Sequence, residues 1–193
     1  GENAVSAIDV LNDRDIVKDY KKFVVIGGGV VGAETAYFLR YELDKEVEVV
    51  EMDKYIMNHV CTANRGHIIH YLEKGNVKIH NCTKVTAIKD DKVLCVKNVH
   101  KRVPNPYDTW SPILPENVLN PLDKLMPIKY VPKELELDAD MVVLAIGVTK
   151  QDGIYYDCVK ENAAPEIYNV GDSFKEAKIF EAVRSAYRKA RNI

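Results

Sequence analysis

Residues Phe23–Ala36 read FVVIGGGVVGAETA. Four apolar residues run straight into three glycines, and small and apolar residues then recur at helical spacing. A short, wholly apolar run flanked by a lysine and a glycine turn fits a strand covered on both faces, as in a parallel sheet. The spacing predicts a strand over Phe23–Ile26 and a helix over Val30–Tyr41. A second strand, VEVVE, is expected at Val47–Glu51. Strand, glycine turn, helix and strand make a βαβ unit. The expected fold class is therefore α/β.

Gly27, Gly29 and Gly32 fill a GxGxxG pattern. The first permits the tight turn out of the strand. The second lets the backbone approach a pyrophosphate without a Cβ in the way, and the third brings helix and strand close together. The helix N-terminus then offers unpaired N–H groups and partial positive charge to phosphates. Glu51 ends the second strand about twenty residues on, where an acid accepts hydrogen bonds from a ribose 2′-hydroxyl. Gly27, Gly28, Gly29, Val30, Val31, Gly32, Glu51 and the adjoining Met52 are the candidate dinucleotide contacts. A 2′-phosphate would set like charge against Glu51, and Lys54 is no arginine in the usual phosphate position. NADH is expected over NADPH.

Working outward, Ala4–Asp19 reads as a helical or irregular approach, with Ala7, Val10, Leu11 and Ile16 on one side. Asn58–Lys74 reads as a helix that buries Val60, Ile68, Ile69 and Leu72 and is capped by Gly75. Three short strands follow at Val77–His80, Lys84–Ile88 and Lys92–Val96, with a hairpin turn at Asp90-Asp91. Asn98–Lys133 holds seven of the chain's eight prolines. It is expected to be an irregular insertion anchored by Tyr107, Trp110, Ile113, Leu114 and Leu119; a mobile loop is the alternative. Met141–Ile146 reads as another buried strand. Glu166–Val170 reads as a strand that enters a Gly171-Asp172 turn, and an amphipathic helix is expected from about Glu176 to Asn192.

Composition excludes several classes. The chain is 47% hydrophobic and 29% charged, with a formal net charge of -2. That is globular composition without the basic bias of a nucleic-acid binder. No apolar run approaches a membrane span. GENAVSAIDV lacks the layout of a signal peptide, and the start at Gly1 reads as a trimmed or processed end. Cys61, Cys82, Cys95 and Cys158 lack metal-site spacing and are expected to be free, mostly buried thiols of a cytosolic protein. His67 and His70, with His59 and Cys61 nearby, are read as edge-of-core or exposed residues rather than metal ligands. Tyr41 and Lys45 match a YxxxK spacing only by chance. A methyltransferase shares the glycine turn and acid but leaves the later motifs unexplained.

The blocks AVSAIDVLN, KKFVVIGGGVVGAETAYFL, VEVVEMD, MVVLAIGV and PEIYNVGDS span nearly the whole chain. In order and spacing they resemble the C-terminal part of flavin enzymes related to 2-enoate reductase, 2,4-dienoyl-CoA reductase and trimethylamine dehydrogenase. The long proline-rich insertion is more similar to the 2-enoate reductase branch. The resemblance implies a Rossmann-like NAD(P)-binding domain of the glutathione-reductase-like two-dinucleotide fold. Its parallel sheet would be joined by a small antiparallel meander and by a C-terminal piece of the FAD domain. It implies an approach segment over 1–20 from a missing FAD half, an NAD(H)-binding domain over 21–150 with its insertion at 98–133, and the returning FAD strand and helix over 151–193. FMN and an iron–sulfur cluster would belong to an N-terminal barrel outside this sequence.

By the same resemblance, Glu34 lies near the nicotinamide, and Ala145, Ile146 and Gly147 form a strand-end motif that leaves room for the dinucleotide. Val85 borders the adenine. Gly171 and Asp172 contact FAD. The implied activity is hydride transfer from NADH to FAD, with no general acid, base or nucleophile expected from this part. The alternative is a stand-alone dinucleotide-binding module without catalysis.

Overall fold

Parallel pairing on both sides of one apolar strand organises the chain. The computed structural model describes residues 3–58, 60–109, 125–177 and 179–192. Its contacts divide the chain into two units, 1–146 and 147–193.

In the first unit, strand β1 is Ala4–Ser6, β2 Lys22–Ile26, β3 Glu46–Val50 and β4 Lys78–His80. Strands β5 (Thr83–Ile88), β6 (Lys92–Asn98), β7 (Pro132–Asp138) and β8 (Met141–Leu144) follow. The parallel sheet has the order β1-β8-β2-β3-β4, and β5-β6-β7 form a separate antiparallel sheet. Among the described residues the unit also has helices α1 (Ala7–Asn12), α2 (Val30–Tyr41) and α3 (Thr62–Lys74) and a 3-10 turn at Arg14–Val17. The parallel sheet with its small meander is the expected architecture.

Side-chain alternation along the strands divides the core in two. Phe23, Val25, Val47, Val49, Ile79, Met141 and Val143 belong to one cluster, with Ala33, Ala36 and Leu39 of α2 and Ile69 and Leu72 of α3. Val24, Val50 and Val142 belong to the other, with Val93, Cys95 and Leu137 of the meander. The sheet is therefore covered on both faces, which is why its strands read as continuous apolar runs rather than alternating ones. Each such Val or Leu contributes about 1.5–3 kcal/mol by burial.

Several local expectations change. Ala4–Ser6 pairs with β8 as an edge strand of the sheet, in register Ala4↔Val142 to Ser6↔Leu144, instead of approaching as helix or coil. Val17 joins Ala7 and Val10 in the core while Leu11 stays exposed. Helix α3 begins at Thr62 rather than Asn58, because residues before it bend with Met57 at φ 52. Gly75 does cap α3. The Pro-rich segment ends in β7, where Pro132 takes the first position of an edge strand that needs no ladder N–H from it. Tyr107 anchors the start of the insertion: its hydroxyl donates to Val77 O at 2.8 Å and accepts from Ile79 N–H at 3.3 Å. Trp110, Ile113, Leu114 and Leu119 lie outside the described residues.

The second unit contains α4 (Gly153–Lys160), a 3-10 turn at Gly171–Ser173, and α5 (Ile179–Ala190). Helix α4 was not expected, since it opens on a glycine and carries aromatic and β-branched residues. Glu166–Val170 is not a strand; an extended segment becomes one only through a ladder partner. Helix α5 forms as its periodicity predicts, yet Ile179, Phe180, Val183 and Tyr187 are 85%, 65%, 63% and 60% exposed. Neither helix of this unit has a buried residue.

Candidate dinucleotide-binding site

The register Ile26↔Val50 and Ile26↔Leu144 brings the C-terminal ends of β2, β3 and β8 to one edge of the sheet. Chain connection reverses direction at β2, from β3 on one side to β8 on the other. Crevices of this kind, outside the carboxyl ends of parallel strands, are where open α/β sheets hold ligands. Gly27, Glu51 and Ala145 are the first residues beyond those strand ends.

The three fingerprint glycines are used differently. Gly27 turns at φ 104, and a Cβ on it would stand 2.4 Å from Ala145 O. A Cβ on Gly32 would stand 1.9 Å from Gly27 O, so α2 rests on the turn through the missing side chain. Gly29 is the N-cap of α2, at φ -66, and among the described residues nothing beyond its chain neighbours lies within 4 Å of the place its Cβ would occupy. Its bareness has no packing reason; it leaves open space at a helix N-terminus whose N–H groups lie outside the helical ladder.

Glu51 is bound into the turn. Gly28 N–H donates to its Oε2 at 2.6 Å, and Asp53 N–H donates to its Oε1 at 2.8 Å. These two bonds fix the carboxylate beside the glycine loop at the end of β3. Met52 beside it is 71% exposed. Val30 is half-buried, while Val31 and Glu34 are exposed on the first turns of α2. Ile146 is exposed next to Ala145. Val85 is partly buried against the meander-side core cluster, at a bulge in β5.

The described loop after β3 adds what the sequence did not signal. Met57 N–H donates to Gly28 O at 2.7 Å, and Ile56 Cγ2 lies 2.5 Å from where a Gly28 Cβ would stand. Ile56 is 1% exposed. Only its apolar character within the polar stretch MDKYIMNH hinted at burial. Arg65 of α3 is also buried, and desolvation pulls its pKa below the ordinary arginine value.

In the second unit, Gly147 sits at φ 100 in open space. Gly171 turns at φ 68, and its N–H donates to Ser185 Oγ of α5 at 2.9 Å. Asp172 is exposed within the 3-10 turn. His67 and His70 contact the Tyr71 ring. Among the described residues no cluster of His, Cys, Asp or Glu is arranged to hold a metal, and no helix is long and apolar enough to cross a membrane. The thiols are less buried than expected: only Cys95 is buried, and Cys61 is exposed.

The profile of the pyridine nucleotide-disulphide oxidoreductases matches residues 1–190. The chain belongs to this family. Cinnamate reductase of Clostridium sporogenes is 27% identical over 195 residues, which cover 100% of this chain and 24% of that protein. Bilirubin reductase of Mediterraneibacter gnavus is 38% identical over 99 residues, covering 51% of this chain and 15% of its own. A solved 2-naphthoyl-CoA reductase superposes with a TM-score of 0.73 at 25% identity, over 100% of this chain and 24% of that one. Histamine dehydrogenase from Rhizobium sp. 4-9, at 18% identity and TM-score 0.70, shares the fold. The chain thus spans about a quarter of the length of cinnamate reductase, the first of these relatives. The resemblance to the C-terminal part of the enoate-reductase group holds.

Proposed function

We propose that the chain is the NADH-binding part of a flavin-dependent oxidoreductase, and that it presents NADH so that hydride passes to FAD. The observation that carries this reading is the pairing of an open Gly29 at the α2 N-terminus with a Glu51 carboxylate fixed by Gly28 and Asp53 N–H groups. The pyrophosphate would lie over Gly27–Gly32, with Val30 and Val31 amides toward it. Glu51 would accept from the ribose 2′-hydroxyl, with Met52 flanking the adenosine and Val85 at the adenine. Ala145–Gly147 and Glu34 would border the nicotinamide end.

FAD, when bound, supplies the hydride acceptor. Gly171 and Asp172 are the residues of this chain that fit it: φ 68 at Gly171 needs no Cβ, and Asp172 presents an exposed carboxylate. The exposed apolar positions of α5 suit a helix whose covering partner is the rest of an FAD domain. On this reading residues 21–150 are the NAD(H) domain and 151–193 the returning FAD piece, preceded by an approach over 1–20. FMN, an iron–sulfur cluster and the organic substrate would belong to the longer, cytosolic protein. A second reading, a dinucleotide-binding module without catalysis, draws on one observation: every residue of the glycine–Glu51 arrangement lies within residues 1–146.

The deciding experiment is calorimetric titration with NADH and then NADPH. A 2′-phosphate removes a charge-assisted hydrogen bond of about 1.5–3 kcal/mol, so NADPH is expected to bind about ten- to a hundredfold more weakly. Equal binding refutes the assignment of Glu51; binding of neither refutes an autonomous site. Dye reduction by NADH with added FAD then separates the enzyme part from the bare module.

A further inference from the structure

Gly28 is held through both of its backbone polar groups. Its N–H goes to Glu51, and its carbonyl accepts from Met57 N–H. The side chain of Ile56 lies where a Gly28 Cβ would be. The short segment Tyr55–Met57 therefore roofs the middle of the glycine loop, and Met57 takes a left-handed φ of 52 to do so. A non-glycine residue in that conformation needs outside support.

The support comes from α3. Arg65 Nε–H donates to Ile56 O at 3.0 Å, and its Nη1 donates to Asp108 O at 2.9 Å and reaches Thr109 O at 3.4 Å. The guanidinium lies over the Tyr55 ring, 5.7 Å from its centre. Arg65 is 1% exposed, and its Nη2 has no hydrogen-bond partner among the described residues. A buried cation with an unmet donor is a poor source of stability, and an apolar side chain of similar length would avoid that cost. Its geometric effect is specific: one planar fork joins the roof of the glycine loop to Asp108 and Thr109 of the insertion. Buried Asn81 makes a parallel tie, its Nδ2 donating to Lys54 O at 2.7 Å and Pro104 O at 2.9 Å.

We infer that Arg65 is a positioning residue for the nucleotide: through Ile56 and Met57 it fixes the Gly28 peptide, and through Asp108 it makes that position depend on the proline-rich insertion. This rests on the dinucleotide reading of the glycine loop. Asp108 thereby links the insertion to cofactor affinity through Arg65.

The test uses the whole chain, with Arg65→Met, Arg65→Lys and Ile56→Ala. The readouts are the backbone amide resonances of Gly28 and Met57 and the NADH affinity. Arg65→Met is expected to shift both amides while those of Val93 and Leu137 stay in place, and to weaken NADH about tenfold. Arg65→Lys, which keeps a donor for Ile56 O, is expected to recover most of both effects. Ile56→Ala leaves the Arg65 acceptor in place and tests the roof alone; if Arg65→Met fails to fold, the smaller displacement of the same two amides expected in Arg65→Lys, with Val93 and Leu137 unmoved, decides the matter. Unmoved Gly28 and Met57 amides, or an unchanged NADH affinity with those amides displaced, overturn the inference. If the wild-type chain binds no NADH, the autonomous site falls, and the Gly28 and Met57 amides alone judge whether Arg65 sets the loop.

Discussion

Alanine at Gly29 and at Gly32 should separate room kept for a ligand from room used by packing. At Gly32 the added Cβ would lie 1.9 Å from Gly27 O and 3.1 Å from Ala145 Cβ. A carbon–oxygen contact needs about 3.3 Å, so α2 would have to retreat by roughly 1.4 Å. The neighbour is backbone, which has no rotamer to escape into. Overpacking of this kind costs about 3 kcal/mol, the top of its usual range, and the better helix propensity of Ala returns about 1 kcal/mol. A net loss near 2 kcal/mol is expected in urea denaturation. At Gly29 the backbone is extended at φ -66 and ψ -171, and the Cβ meets nothing. Stability should therefore fall only by about 0.5–1 kcal/mol, the cost of Ala in place of Gly at an N-cap. On the proposed function, the methyl would instead stand where the pyrophosphate approaches the helix N-terminus. Losing one charge-assisted hydrogen bond there weakens NADH about ten- to a hundredfold in calorimetry. Gly29→Ala that binds NADH like the wild type, or that is as unstable as Gly32→Ala, would refute the division of roles.

Other consequences can be measured on the same protein. Tyr107→Phe leaves the Ile79 N–H and Val77 carbonyl without their partner and should cost about 1–2 kcal/mol in denaturation. The His80 hydrogen bond to Glu48, at 2.6 Å, holds that carboxyl below its ordinary pKa. A depressed folded-state pKa stabilises above the ordinary carboxylate range, and that stability is lost as pH falls through the lowered value. The acid limb of a midpoint-against-pH curve should therefore be shallower in Glu48→Gln than in the wild type. Burial raises the Cys95 thiol to about 11, so a disulfide-exchange reagent at pH 8 should label exposed Cys61 first and Cys95 only on unfolding. Equal native labelling of the two would contradict the burial of Cys95.

The central βαβ unit was legible because local and global preferences agree there. Val30–Tyr41 has the expected bounds, since the glycine turn fixes its start and buried positions recur at Ala33, Ala36 and Leu39. Elements defined by a distant partner were not legible. Ala4–Ser6 is too short to carry a period and is a strand only because β8 lies beside it. Pro132–Asp138 starts at the end of the proline-rich stretch and runs beyond it; its LEL alternation suits a half-covered edge strand. Glu166–Val170 has strand composition and no ladder. In the candidate site, the contact of Glu51 with the glycine loop was legible because the fingerprint spacing is local. The Ile56–Met57 roof and its Arg65 support were invisible, because they depend on a left-handed turn and on carbonyls far along the chain.

The sheet order also sets a timetable. Strand β1 precedes β2, β3 and β4 in the chain, yet its neighbour β8 follows all of them. While β2, β3 and β4 can already pair, β1 and the apolar residues Ala7 and Val10 of α1 wait without their strand. Contacts that close so long a stretch of chain form slowly, and exposed apolar surface in the interval invites association with other chains. The opening residues should dock last, so their amides should be the final ones in the parallel sheet to gain protection from exchange during refolding.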